Sequence, residues 1–541
     1  MGSPILEIRD LQVSLPAGSD RTHAVEGVSL RLEPNEILCL VGESGSGKSL
    51  TARAIVGLMP SPHVRISGGH IRFGDEDLRS VSAARMRQIR GSEISMIFQE
   101  PMTALNPLMT IGNQIDEVIQ VHTKLSRKQR VERIVELLRD VQLPDPAAIF
   151  GAYPHQLSGG QRQRAMIAMA LLLEPKIVIA DEPTTALDVT TQAQILSLLK
   201  TLQAKHHTGI LFITHDFGVV AEIADRIAVM RMGELVEVGE AAQILNAPQH
   251  PYTQSLIAAV PSLVPRKPRP AGDAPVLLEV QGLNKAYHSG GLFARKGRNV
   301  RAVKDVALKL RRGETLGVVG ESGSGKSTMA RLITRLTEAD GGQIRLDGTD
   351  ILAVPRKRMR PYRKRVQMVF QDPYASLNPR YKVGRLIAEG MIIHGVERRA
   401  AYERVHELLE LVGLDARVAE RYPHEFSGGQ RQRIGVARAL ALDPEILVAD
   451  EPVSALDVSV QAQVLQLLAD IRDRLNLSML FITHDLRVAA QVCDSIAVMR
   501  RGEIVEFGPT EQVFADPRHD YTRELLDSVP GKGWNAPRLA G

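Results

Sequence analysis

Two stretches of this 541-residue sequence read Gly-Glu-Ser-Gly-Ser-Gly-Lys-Ser, one from Gly42 to Ser49 and the other from Gly320 to Ser327. In each, the glycines Gly42, Gly45 and Gly47, or Gly320, Gly323 and Gly325, leave the backbone open to close approach. The small polar residues Ser44, Ser46, Ser322 and Ser324 lie between them, and Thr328 follows the second loop. An apolar run precedes each loop and helix-compatible sequence follows. Unhindered N–H groups can therefore wrap a triphosphate while a helix N-terminus, worth about half a positive charge, points at it. Lys48 and Lys326 add a full charge for the β and γ phosphates, and the Ser49 and Ser327 hydroxyls suit Mg2+, a hard cation that takes oxygen ligands. One such loop could be a fortuitous glycine turn. Two identical ones argue for two nucleotide sites.

The loops are the first members of a series that occurs twice in the same order. Phe-Gln-(Glu/Asp)-Pro places Gln99 and Gln371, Ser-Gly-Gly-Gln spans Ser158, Gly159, Gly160 and Gln161 and again Ser427, Gly428, Gly429 and Gln430, and Ala-Asp-Glu-Pro places Asp181 with Glu182 and Asp450 with Glu451. Phe-Ile-Thr-His-Asp then places His215 and His484, and His250-Pro-Tyr-Thr is echoed by His519-Asp-Tyr-Thr. A serine before two glycines is a good helix N-cap that leaves the backbone accessible, so these turns are a second kind of anion-facing helix start.

Fixed order at near-constant spacing means two homologous domains. The expected division is residues 1–260 for the first domain with its C-terminal extension, 261–276 for a linker, 277–530 for the second domain with its extension, and 531–541 for a mobile tail holding the single Trp534. Pro261, Pro265, Pro268, Pro270 and Pro275, with Arg266, Lys267 and Arg269, deny the linker a regular element. Within the first copy, Ile37 to Val41, Ile177 to Ala180, Ile210 to Thr214 and Ile227 to Met230 are short unbroken apolar runs, as in parallel strands buried on both faces. Ile134, Leu137, Leu138 and Val141, and in the second copy Val405, Leu408, Leu409 and Val412, mark amphipathic helices at i, i+3, i+4, i+7. The catalytic candidates thus belong at the ends of strands in an α/β core, with a helical segment inserted between the Gln and Asp-Glu positions.

Composition narrows the setting. With 44% hydrophobic residues and 24% charged, the chain reads as globular, and no apolar run approaches the roughly 18 residues needed to span a bilayer. The acidic Glu7 and Asp10 near the N-terminus do not fit a secretory signal, so a cytoplasmic location is expected. Two cysteines, Cys39 and Cys493, cannot build a disulfide framework or a cysteine metal cluster. A net charge of +5 is small for this length, and the basic run Arg356, Lys357, Arg358, Arg360, Arg363, Lys364 and Arg365 reads as a solvated face with no nucleic-acid role.

A phosphate loop, then Leu157-Ser-Gly-Gly-Gln161, then Asp181-Glu182 resembles the order of Walker A, signature and Walker B in ABC ATPases, and Phe426-Ser-Gly-Gly-Gln430 with Asp450-Glu451 repeats it. The resemblance implies two tandem P-loop ABC nucleotide-binding domains. Each would have a RecA-like parallel-sheet core, an N-terminal antiparallel β subdomain and an α-helical subdomain. It further implies ATP and Mg2+ held in composite sites: Lys48, Ser49, Gln99, Asp181, Glu182 and His215 facing Ser427, Gly428 and Gly429, and Lys326, Ser327, Gln371, Asp450, Glu451 and His484 facing Ser158, Gly159 and Gly160. In these roles Ser49, Gln99, Asp181, Ser327, Gln371 and Asp450 serve the metal, Glu182 and Glu451 accept a proton from the attacking water or orient it, and His215 and His484 bond the γ phosphate. The family places an aromatic ring for adenine stacking where this chain has Tyr287 in the second copy and Leu15 in the first.

Phe98-Gln-Glu-Pro-Met-Thr-Ala-Leu-Asn-Pro107, Phe370-Gln-Asp-Pro-Tyr-Ala-Ser-Leu-Asn-Pro379 and the His-Pro-Tyr-Thr extension are similar to dipeptide and oligopeptide importers, of the fused two-cassette type known for microcin C and glutathione. That resemblance implies an ATPase powering peptide import, peripheral to the cytoplasmic face of the inner membrane. Its partners would be two permease subunits and a periplasmic substrate-binding protein. Many relatives carry a cysteine cluster just after the His-Pro-Tyr-Thr segment; this chain has no cysteine there, so no iron-sulfur centre is expected. The alternatives are an importer ATPase for another small solute and a ribosome-associated tandem ABC ATPase. The second is opposed by the short proline-rich linker and by Ala186-Leu187-Asp188 and Ala455-Leu456-Asp457 where such proteins carry Asn-His-Leu-Asp.

Overall fold

A computed structural model describes residues 3–185, 187–267, 269, 274–289, 298–454, 456–534 and 536. Pro268 and Pro270 of the expected linker, Ala186, Ala455 and residues 537–541 of the expected tail lie outside them. The chain divides into two units, the first drawn from residues 1–187, 191–260 and 530–541 and the second from 188–190 and 261–529.

The first unit contains strands β1 (Leu6–Ser14), β2 (His23–Leu32), β3 (Ile37–Val41), β4 (Arg65–Phe73), β5 (Glu76–Asp77), β6 (Ile94–Ile97), β7 (Ile177–Asp181), β8 (Gly209–Thr214), β9 (Arg226–Arg231) and β10 (Glu234–Glu240). They form an antiparallel sheet of order β2-β1-β4-β5 and a six-stranded sheet of order β10-β9-β3-β8-β7-β6. The larger sheet is parallel from β9 through β6, and β10 adds an antiparallel edge. Every residue of β3, β7 and β8 is buried, which is why their sequences are unbroken apolar runs with none of the alternation of a half-solvated strand.

The second unit repeats this plan with β11 (Val276–Ser289), β12 (Arg298–Arg311), β13 (Thr315–Val319), β14 (Gly341–Leu346), β15 (Thr349–Asp350), β16 (Val366–Val369), β17 (Ile446–Asp450), β18 (Ser478–Ile482), β19 (Ser495–Arg500) and β20 (Glu503–Pro509). Its sheets run β12-β11-β14-β15 and β16-β17-β18-β13-β19-β20.

Between β6 and β7 the chain is helical. Ile111–His122 starts at a Thr110 cap, and Arg127–Asp140 starts at a capping box in which Ser126 and Gln129 satisfy each other's backbone N–H groups. Ile134, Leu137, Leu138 and Val141 are all buried, as are Val405, Leu408, Leu409 and Val412 in and just after the matching helix Arg398–Leu411. Burying side chains of this size stabilises each by roughly 1.5–3 kcal/mol, enough to hold a helix whose remaining faces are charged. Cys39 and Cys493 are unpaired and buried, and burial pushes both thiols up out of the reactive range.

The start of the linker is irregular but anchored within the second unit. Arg266 pairs with Asp494 at 2.6 Å, Arg269 pairs with Asp494 at 2.7 Å and with Asp473 at 2.9 Å, and the Gln491 amide donates to the carbonyls of Ser262 and Val264. Trp534, read from sequence as part of a mobile tail, is partly buried against the apolar core of the first unit, and the Gly531 N–H donates to Glu222. A ring of that size loses more by staying in water than a short segment gains by staying free.

Candidate active site

Adjacency in the parallel sheet assembles the site. Gly42 follows β3, Asp181 ends β7, His215 follows β8, and Gln99 lies just beyond β6. These four strands are consecutive neighbours that run the same way, so the four motifs emerge at one carboxyl edge, where open α/β sheets bind ligands. In the second unit β13, β17, β18 and β16 deliver Gly320, Asp450, His484 and Gln371 in the same way.

The loop's glycines are demanded by the local packing. Gly47 has φ of 106°, and a Cβ there would lie 2.5 Å from the Ala24 carbonyl oxygen; at Gly42 a Cβ would lie 2.2 Å from that of Met230. Gly320 and Gly325 meet the same obstruction from Met499 and Ala302. Helices Lys48–Ile55 and Lys326–Ile333 begin directly after, at glycine N-caps that provide no side chain to occupy the first N–H groups. Those donors stay aimed into the loop. Lys48 is buried, its ammonium donating to the carbonyls of Gly42 at 2.7 Å and Glu43 at 2.9 Å; Lys326 does the same with Gly320 and Glu321 at the same distances. Burial lowers the Lys326 pKa from its ordinary value.

At the other end of the loop, the Ser49 hydroxyl donates to Asp181 at 2.8 Å and the Ser327 hydroxyl to Asp450 at 3.0 Å. Burial raises the pKa of both aspartates, and the adjacent glutamates add to the shift. A hydroxyl beside a buried carboxylate in need of positive charge is a donor set that fits Mg2+.

Glu182 and Glu451 take left-handed backbone conformations, with φ of 47° and 48°. Such strain in a non-glycine residue is costly, about 1 kcal/mol or more, and persists only where the surroundings impose it. Here the Glu182 N–H remains bonded to the Ile213 carbonyl, so the strand pairing ends one residue beyond β7 while the side chain swings to the edge. Its carboxylate accepts from Gln99 Nε2 at 2.9 Å and Thr185 Oγ1 at 3.0 Å and lies 3.3 Å from His215 Nδ1. Glu451 accepts from Gln371 Nε2 at 2.8 Å and lies 3.2 Å from His484 Nδ1. Burial is the largest single influence and works against the charged form of both glutamates, but the histidine's hydrogen bond and charge, with the loop lysine and a neighbouring hydroxyl, together outweigh it and the net pKa is lowered. For His484 burial likewise opposes the charge, Glu451 prevails, and the net pKa is raised.

The Ser-Gly-Gly-Gln turns are helix starts. Ser158 and Gln161 form a reciprocal capping box at helix Gly159–Leu171, and Ser427 and Gln430 do so at Gly428–Leu440. The two glycines of each turn differ. A Cβ at Gly160 would lie 2.7 Å from Thr191 Cγ2 and one at Gly429 2.3 Å from Val460 Cγ1, so the second glycine admits a neighbouring helix. Gly159 and Gly428 meet nothing closer than 4.0 and 3.5 Å and leave the backbone open. Among the described residues, no hydrogen bond joins either serine side chain to the phosphate loop of its own unit.

Tyr287 is 43% exposed on β11, with the Lys285 ammonium 5.8 Å from its ring centre, while Leu15 packs against the core beneath the antiparallel sheet. Three kinds of contact were not foreseen from sequence: Thr185 on Glu182, Arg21 donating to the Gly45 carbonyl, and the hydroxyls of Tyr252 and Tyr521 on the phosphate loops. The first two offered no sequence signal. The last had one, since the His-Pro-Tyr-Thr motif recurs in both copies.

Comparison with known proteins agrees with this geometry. The ABC transporter family matches residues 25–185 and 303–454, and the family "Oligopeptide/dipeptide transporter, C-terminal region" matches 236–294 and 505–539. The chain is 48% identical to the glutathione import ATP-binding protein GsiA of Salmonella choleraesuis, over 97% of this chain and 89% of that protein. It is also 48% identical to the peptidoglycan transport ATP-binding protein YejF of Agrobacterium fabrum, over 97% and 96%, and 47% identical to GsiA of Escherichia coli O157:H7, over 97% and 89%. Two phosphate loops, two Asp-Glu pairs and two extensions on one polypeptide, matched along nearly its whole length, make this chain a member of the ABC transporter ATP-binding family, a two-cassette ATPase of the oligopeptide/dipeptide importer type.

Proposed function

We propose that each unit binds Mg-ATP at its phosphate loop and hydrolyses it with its own glutamate, and that the chain thereby powers import of a peptide or peptide-derived solute. The observation that carries this is the carboxylate constellation, present in both units: a half-buried glutamate, held ionised with the help of a histidine, in contact with the glutamine that follows the edge strand. Lys48 and Lys326 draw the terminal phosphates into the loops, where the uncapped helix starts complete the electrostatic field. Ser49 with Asp181, and Ser327 with Asp450, would hold Mg2+, which supplies charge neutralisation across the phosphate oxygens. Glu182 and Glu451 receive the proton of the attacking water or orient it, and His215 and His484 fix the carboxylate's direction. Gln99 and Gln371 tie the same carboxylates to the segments that precede the helical subdomains, so a movement there reaches the base directly. Ser158 and Ser427 offer further anion-facing helix starts.

Peptide-like cargo follows from the relatives, named for glutathione and peptidoglycan import, and from the two matches to the oligopeptide/dipeptide transporter C-terminal region. No described helix is long and apolar enough to cross a membrane, so transport requires separate permease subunits, with this chain peripheral on the cytoplasmic face of the inner membrane and a periplasmic binding protein delivering the solute. The test is purification of the chain with its membrane partners and measurement of ATP-dependent peptide uptake into vesicles. Uptake that is equal for the native chain and for a Glu182→Gln, Glu451→Gln double variant excludes the proposal.

A further inference from the structure

The two C-terminal extensions carry a contact that the hydrolytic chemistry does not use. Helix Pro251–Ala258 is N-capped by His250, whose Nδ1 accepts from the Tyr252 N–H at 3.1 Å. The turn before it is fixed to β10, because Glu237 accepts from the N–H groups of Gln249 at 2.7 Å and His250 at 3.1 Å. The buried Tyr252 ring lies under the Arg231 guanidinium at 5.0 Å, and its hydroxyl meets the second residue of the phosphate loop: the Glu43 N–H donates to Tyr252 Oη at 3.3 Å, and Oη donates to Glu43 Oε2 at 3.2 Å.

The second unit rebuilds this from different flanking residues. Glu506 on β20 accepts from the N–H groups of Arg518 at 2.8 Å and His519 at 3.1 Å, and His519 Nδ1 accepts from the Tyr521 N–H at 3.1 Å. Arg500 covers the Tyr521 ring at 4.5 Å, and the Glu321 N–H donates to Tyr521 Oη at 3.1 Å. Arg518 and Asp520 replace Gln249 and Pro251, yet the tyrosine reaches the same loop atom.

Glu43 and Glu321 face both ways. Their carbonyls accept from the buried lysine inside the loop, while their N–H groups point outward to the tyrosine. We propose that Tyr252 and Tyr521 are positioning residues for nucleotide binding, hydroxyl struts by which each C-terminal extension fixes the outer edge of its phosphate loop and so sets ATP affinity. The inference rests on the loops being the nucleotide sites. Burial pushes both phenols up to about 12, so the hydroxyl proton is retained throughout the physiological range. Tyr→Phe keeps the ring and its packing and removes the phenolic acceptor from the loop N–H.

The experiment measures Mg-ATP binding to the full chain with a fluorescent nucleotide, in a Glu182→Gln, Lys326→Ala parent that isolates the first site without turnover. Adding Tyr252→Phe is expected to raise Kd about fivefold, within the worth of one neutral hydrogen bond that preorganises the loop, while the melting temperature falls by no more than about 4 °C. Tyr521→Phe does the same in a Glu451→Gln, Lys48→Ala parent. An unchanged Kd overturns the strut, as does a weaker Kd accompanied by a melting-temperature loss larger than about 4 °C, the mark of a unit loosened as a whole. Lys48→Ala in the first parent separates the two levels: if it too binds nucleotide normally, the loop is not the ATP site, whereas if it abolishes binding and Tyr252→Phe has no effect, only the strut fails.

Discussion

Replacing Glu182 by glutamine tests the chemistry with little change of shape. The carboxylate has three polar neighbours, Gln99 at 2.9 Å, Thr185 at 3.0 Å and His215 at 3.3 Å, and all three face an acceptor. Glutamine keeps one acceptor oxygen and turns the other position into an NH2 donor, which must face either the Gln99 amide or the histidine. The fold tolerates this, since the site lies at a strand end and water can enter. What is lost is the negative charge that His215 holds in place and the capacity to take a proton. General base catalysis by a positioned side chain contributes roughly 10²–10⁴ in rate, or about 2.7–5.4 kcal/mol of transition-state stabilisation. Phosphate release by Glu182→Gln, Glu451→Gln should therefore fall at least about a hundredfold while Mg-ATP affinity stays within about threefold of native, because binding relies on Lys48, the loop and the Ser49–Asp181 pair. A double variant that hydrolyses within tenfold of native would refute the assignment of the glutamates, and one that has lost nucleotide affinity would show that the substitution had disturbed the loop.

Three further outcomes follow from the same geometry. The raised pKa of His484 means that its pairing with Glu451 stabilises the second unit fully below the imidazole's ordinary value of 6.5 and is lost as pH rises through the folded value; the lowered pKa of Glu451 means that its share is present above its ordinary 4.5 and lost as pH falls through the folded value. His484→Asn should flatten the alkaline flank of the melting-temperature profile, and an identical profile would contradict the pairing. Gly429→Ala places a Cβ 2.3 Å from Val460 and should cost about 1–3 kcal/mol of stability in denaturant titration, whereas Gly428→Ala should leave stability within about 1 kcal/mol and reduce turnover; equal stability losses would remove the distinction between the two glycines. With Tyr287 available for stacking and Leu15 turned into the core, nucleotide should bind more weakly at the first site than at the second, by about 1–3 kcal/mol if the ring stacks on the base. Equal affinities in Glu182→Gln and Glu451→Gln single variants would exclude this.

Sequence by itself determined the duplication, the phosphate loops, the buried strands and the identity of every charged residue at the carboxylate cluster, because each is a local matter. Glycine spacing, unbroken apolar runs and helical periodicity are written residue by residue, and Ile134, Leu137 and Leu138 needed no tertiary contact to be recognised as one face. Only the tertiary structure decided how the pieces meet. The strand order that makes β6, β7, β8 and β3 neighbours depends on crossovers that no local pattern encodes, and it brings Gln99, Glu182, His215 and Lys48 to one edge. The left-handed backbone of Glu182 and Glu451 is imposed by pairing to β8 and β18, against the preference of glutamate itself. Gly159 and Gly160 are identical letters with different duties, told apart by Thr191 on a helix that starts some thirty residues later. Tyr252 reaches Glu43 across 209 residues of chain, a distance over which side-chain contacts are fixed by packing and by nothing that the intervening sequence spells out.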